Sequence, residues 1–122
     1  MMDLIFIILT LLFVKHFIVD FPLQKPYQWQ NKGTYGHPGG ILHAGLHALG
    51  TALCLIIFVH PVFAVLFGVM DGVIHYHIDW AKMKINKHYG WGANTHEEFW
   101  ILLGLDQLLH SLTYIWLVWL LF

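Results

Sequence analysis

Four stretches of the chain carry acidic or imidazole side chains four residues apart: His16 and Asp20; His43 and His47; Asp71, His75 and Asp79; Asp106 and His110. On a helix, residues at this spacing project from one face. Imidazole and carboxylate together are the ligands of divalent transition metals, and this mixture suits Zn, Mn or Fe. Five histidines and four aspartates exceed what one tetrahedral ion uses. The surplus points to a two-metal centre, or to one metal whose ligands are held by further hydrogen bonds. The expected ligands are His16, Asp20, His43, His47, His75, Asp79 and His110. Asp71 and Asp106 are expected as ligands or as bases that orient an imidazole.

The elements that must position these groups are strongly apolar. Of the 122 residues, 58% are hydrophobic and 11% charged, against roughly 25% charged in average soluble domains. That composition excludes an ordinary soluble domain and indicates a single integral membrane domain over residues 1–122. Four segments approach the ~20 apolar residues that a spanning helix requires: 3–22, 41–60, 62–82 and 98–121. The expectation is an all-α fold, a four-transmembrane-helix up-down bundle. The second and third spans are expected to join through a tight His60-Pro61 turn, and 22–40 and 83–97 to be polar loops, on their Pro, Gly and Asn content. The first segment lacks a basic n-region and a small-residue cleavage site, so it is expected to be a retained span rather than a signal peptide.

All six lysines fall at or near one membrane side: Lys15, Lys25, Lys32, Lys82, Lys84 and Lys87. The positive-inside rule then places both long loops in the cytoplasm and both termini outside, in a multi-pass membrane protein. Lys15, the deepest, is expected to snorkel toward that side. Traced through an up-down bundle, the acid and imidazole pairs lie within about 10 Å of one another in depth. An Asp near a helix centre costs about 2.5–3.5 kcal/mol on insertion scales, and four cost on the order of 10. Only Lys15 and Lys82 are in reach to offset that cost. A bound divalent cation is adequate, since structural zinc contributes about 10–16 kcal/mol in small peptides.

The remaining chemistry-bearing residues have plainer readings. His77 points off the His75 stripe and is expected to be peripheral, and His37, His60 and His88 to be loop or interface residues. His96 has the same reading, or with Glu97 and Glu98 folds over the site. Most of the Trp and Tyr side chains form an interfacial belt. The lone Cys54 makes no internal disulfide. There is no arginine, no basic cluster and no phosphate-binding glycine loop, so nucleic acid is not an expected partner.

The stretches KHFIVDFPLQ, ILHAGLH, HIDWAK and LGLDQLLH together resemble a family of small, histidine-rich, uncharacterised integral membrane proteins of bacteria and their phages. The resemblance rests on His16, Asp20, Gln24, His43, His47, His75, Asp79, Lys82, Asp106, Gln107 and His110. More distantly, the chain is similar to membrane-embedded metal-dependent hydrolases, which also gather His and Asp on transmembrane helices.

The expected function is therefore a membrane hydrolase with one or two divalent ions, open to the cytoplasm, in which the metal acidifies water and polarises a phosphoryl or acyl oxygen. Lys82 at the rim either holds an anionic head group, with Gln24 or Gln107 orienting it, or anchors the helix at the interface. The expected partners are the lipid bilayer, a phosphate-bearing lipid or small nucleotide as substrate, and further copies of the chain. The alternatives are a metal-ion or proton transporter and a non-enzymatic interaction protein with a structural metal.

Overall fold

Proline, histidine and glycine set the helix boundaries in the computed structural model, which describes residues 1–122. Helix α1, Met2–Asp20, stops just before Pro22, which disfavours helical geometry in the residue ahead of it. A single turn, α2, Pro26–Trp29, begins with proline at its first position. Helices α3, Pro38–Leu55, and α4, Pro61–Tyr89, share a start signal: a His-Pro pair whose imidazole Nδ1 accepts from a backbone N–H two residues on, Gly39 at 3.0 Å and Val62 at 3.2 Å. His37 and His60 are thus helix caps. Gly90, at φ 65°, closes α4 in the left-handed conformation that glycine adopts without a Cβ penalty. Helix α5, Glu97–Leu121, opens with Glu97 and Glu98 beside the positive end of its dipole.

The protein is all-helical, as expected, with element bounds that correct the sequence reading in three places. The connection 22–40 is not wholly loop, since it contains α2. Helix α4 runs on through Lys84, Asn86 and Lys87, because those residues are polar without breaking a helix and the first true breaker is Gly90. Helix α3 ends at Leu55, so residues 56–60, not His60-Pro61 alone, make the connection to α4.

Cross-helix contacts define the topology. Cys54 meets Leu11 while His43 meets Asp20, so α1 and α3 are antiparallel. Thr51 meets Asp71 while His43 meets Asp79, so α3 and α4 are antiparallel. Asp79 meets His110 while Lys82 meets Asp106, so α4 and α5 are too. Helix α5 returns to α1 through Tyr114 and Gln107, closing a ring of four long helices.

The polarity of this bundle is inverted. Of its 27 buried residues, 13 are polar or charged, whereas Phe6, Phe17, Leu53, Ile57, Val65, Ile101 and Trp119 face outward. Apolar outside and polar inside suits hydrocarbon as the solvent. Three helices, α1, α4 and α5, are long and apolar enough to cross a membrane. Helix α3 is not among them, because its 18 residues include His43, His47 and four glycines.

Each long helix presents one inward stripe that is polar toward one end of the bundle and apolar toward the other. The apolar end is a core of Ile8, Leu12, Leu55, Ala64, Phe67, Leu117 and Val118, with the ring of Tyr114 above it. Lys15 lies just above that core, 6% exposed. It does not snorkel: Nζ reaches Asp71 Oδ2 at 2.9 Å, Tyr114 Oη at 3.0 Å and His47 Nδ1 at 3.0 Å. Gly50 makes room for its stem, since a Cβ there would stand 2.7 Å from Lys15 Cγ.

Candidate metal centre

Small residues bring the site together. Ala44, Ala48 and Ala52 of α3 pack against Gly68 and Gly72 of α4. A Cβ on Gly72 would lie 2.9 Å from Ala48 Cβ and 3.0 Å from Ala44 O. This is the small-residue contact by which membrane helices approach closely. It sets His43 and His47 directly against His75 and Asp79. Helix α1 contributes Asp20 from its last residue, and α5 contributes Asp106 and His110 from the middle of its length.

The imidazole Nε2 atoms converge on the carboxylates. Asp20 Oδ1 lies 2.7 Å from His47 Nε2, 3.1 Å from His43 Nε2 and 3.5 Å from His75 Nε2. Asp79 Oδ2 lies 3.1 Å from His75 Nε2 and 3.3 Å from His43 Nε2, and its Oδ1 lies 3.1 Å from His110 Nε2. His110 Nε2 also stands 3.2 Å from Asp106 Oδ1, and His16 Nε2 3.1 Å from Asp20 Oδ2. The rings of His47, His75 and His110 are stacked, with successive centroids 3.5 and 3.8 Å apart. Two groups of donor atoms, each within 4.8 Å, could hold a metal ion: Asp20, His43, His47 and His75; and His75, Asp79 and His110.

Hydrogen bonding alone does not account for this convergence. Gln28 donates its Nε2 to Leu23 O at 3.0 Å, which turns its Oε1 toward His43 Nδ1, also at 3.0 Å. His43 therefore carries a proton on Nδ1, and in the neutral ring Nε2 presents a lone pair to two carboxylate oxygens. That arrangement calls for a positive charge between them, a metal ion or a second proton on the ring. His43 Nε2, both ring nitrogens of His75 and Asp106 Oδ1 are buried and without a hydrogen-bond partner. With metal–ligand bonds of ~2.0–2.1 Å, neighbouring tetrahedral ligands stand ~3.3 Å apart, close to the His–Asp separations here. The donor set fits a divalent cation by chemistry, by spacing and by its unpartnered atoms.

Six of the seven ligands expected from sequence fall in these two groups. His16 falls at their edge. Its Nε2 reaches Gln107 Oε1 at 2.9 Å as well as Asp20, and its Nδ1 meets Tyr114 Oη at 2.9 Å. Gln107 Nε2 donates to Asp106 Oδ2 at 3.0 Å, and Gln24 Nε2 to Asp20 O at 2.6 Å, so both glutamines support the acids. Asp106 touches His110 and Lys82, the latter at 3.4 Å. Asp71 touches no imidazole. It accepts from Lys15 and from Thr51 Oγ1, the latter at 2.6 Å, and reaches His47 only through the lysine. His77 is outside the centre, bonded to Tyr35 Oη at 2.9 Å. His96 does not fold over the site, being exposed and bonded to Thr95.

Sequence reasoning missed four residues here. Lys32 is 6% exposed and reaches Asp79 Oδ2 at 3.4 Å. Gln28 fixes His43, and Thr51 and Tyr114 complete the layer around Lys15. Thr51 and Tyr114 continue the stripes of His47 and His110 by one helical turn, a signal the spacing does contain. With Lys32 counted, two buried lysines and the partly buried Lys82 pair with Asp71, Asp79 and Asp106. Lysine therefore offsets most of the acid charge, against the sequence expectation. Asp20 is the acid left facing imidazoles without a lysine.

Residues 8–122 match the family described as protein of unknown function, DUF3307. No curated protein and no solved structure matches the chain. Since the match covers nearly the whole length, this histidine-lined helical protein belongs to the DUF3307 family.

Proposed function

We propose that this protein is a membrane-embedded hydrolase whose His/Asp centre holds one or two divalent ions (Zn, Mn or Fe) and opens to the cytoplasm. The observation that carries the reading is His43: with its Nδ1 held by Gln28, the ring aims a buried Nε2 that has no hydrogen-bond partner at Asp20 and Asp79. A divalent cation there supplies an acidified water and a Lewis acid for a phosphoryl or acyl oxygen. Asp20, Asp79, His43, His75, His110 and His47 hold it, and Asp106, beside His110 and Lys82, is placed to take up a proton at Oδ1. His16, bonded to Gln107 and Tyr114, orients Asp20.

In this reading α3 is a fourth span. Its polar side chains His43, His47 and Thr51 turn inward, while Ile41, Leu49 and Leu53 are more than half exposed. Four crossings put both termini on one side, and the lysine distribution places that side outside the cytoplasm in a bacterial inner membrane. A transport pathway for metal or protons is less well supported. It needs polar groups through the full thickness, and below Lys15 the buried residues are Ile8, Leu12, Leu55, Ala64, Phe67, Leu117 and Val118.

Elemental analysis of untagged protein purified in detergent tests the proposal. The expected result is at least one transition-metal ion per chain, lost together with hydrolysis of phosphate or carboxylate esters in Asp79→Ala. Substoichiometric metal after reconstitution overturns the metal centre. Full metal content with no turnover on any ester overturns the hydrolase and leaves a structural metal.

A further inference from the structure

Between α2, α4 and α5, at the end of the bundle that carries the metal centre, lies a cavity of about 330 Å³. Trp29, Phe99 and Leu103 give it apolar walls, and Trp29 is half exposed at its edge. Lys32 and Lys82 line it as well, and each reaches inward to a carboxylate of the centre, Asp79 and Asp106, at 3.4 Å. An ammonium group has three donors, and each of these lysines directs only one long contact into the bundle. Two cations and apolar walls thus share a single chamber.

We infer that this chamber receives an anionic amphiphile, with its phosphate-type head group on Lys32 and Lys82 and its chain against Trp29, Phe99 and Leu103. The charge balance points the same way. Four buried aspartates against the buried Lys15 and Lys32 and the partly buried Lys82 leave a single negative charge. One divalent ion reverses that sign, and two leave an excess of three positive charges in a low-dielectric interior that draws an anion. The aromatic edge at Trp29 suits a molecule arriving from the membrane interface. As a substrate site this rests on the hydrolytic reading above; as a binding site it is tested without turnover.

The experiment counts lipids bound to the full-length protein in detergent by native mass spectrometry. The probes are phosphatidic acid, phosphatidylcholine with the same chains, and inorganic phosphate as competitor. The expectation is at least tenfold tighter binding of phosphatidic acid than of phosphatidylcholine. That preference falls at least tenfold in Lys82→Met, which removes a cation, and in Leu103→Trp, which fills the chamber and leaves both lysines in place. Equal binding of the two lipids overturns the inference, as does a preference that survives both substitutions. If millimolar inorganic phosphate displaces phosphatidic acid completely, the site takes a free anion and the amphiphile is wrong. Metal content is measured on the same samples. Its absence from the unmodified protein strikes at the hydrolytic reading, while the lipid comparison is still decided on its own readout.

Discussion

Asp20 Oδ1 stands within 3.5 Å of the Nε2 atoms of His43, His47 and His75. One carboxylate oxygen has about two lone-pair sites, so three imidazole N–H groups cannot all be satisfied on it. Gln28 holds a proton on Nδ1 of His43, so the neutral ring has no N–H to offer Asp20. Gln28→Ala is expected to lower metal affinity about 10- to 100-fold, the usual effect of losing a partner that orients a ligand, without loss of fold. Competition with a chelator of known affinity reads this directly, and unchanged affinity would show that His43 does not depend on Gln28. The ligand stripe was legible at this scale because acids and imidazoles four apart are conspicuous on apolar helices. Lys32 and Gln28 were not, because they lie in a stretch rich in proline and glycine whose return to the centre depends on α2. Lys15 was misread for a related reason. The side a membrane lysine turns to depends on its partners, here Asp71, Tyr114 and the gap at Gly50, and none of these is near it in sequence.

Helices α3 and α4 hold the centre's geometry through a contact with no side-chain bulk to spare. Gly72→Leu is expected to force them apart, at a cost of about 1–3 kcal/mol or more, and to reduce metal content in parallel. Gly45 is the control. A Cβ there meets nothing within 4 Å, so Gly45→Ala is expected to be neutral or to stabilise by up to about 1 kcal/mol through helix propensity. Tm in detergent and metal per chain, measured for both variants, separate packing from propensity. A Gly72→Leu protein with unaltered Tm and metal would show that close approach is not what positions the ligands. Helix existence was readable from the apolar segments, and so was the antiparallel order, which follows when successive spans cross in opposite senses. The ends of α4 and α3 were not readable, because polar residues such as Lys84 and Asn86 are as compatible with a helix beyond the apolar region as with a loop.

At the scale of the whole molecule, polar burial and apolar exposure together require hydrocarbon around the bundle. Four crossings predict that, in a Cys54→Ala background, Thr34→Cys and Asn94→Cys both react with an impermeant thiol reagent only from the cytoplasmic face, since α3 and α4 lie between them. Labelling of the two from opposite faces would mean three crossings, with α3 kept out of the membrane. The bundle's apolar end has a further consequence. Ile8, Leu12, Leu55, Ala64 and Leu117 are wholly buried beneath the Lys15 layer, so the polar interior is closed at that end. If the protein is the hydrolase proposed above, nothing leaves by the far end, and a spent molecule departs from the side on which its successor arrives. Inhibition by product is then expected to be competitive with substrate, as steady-state rates with added product would read.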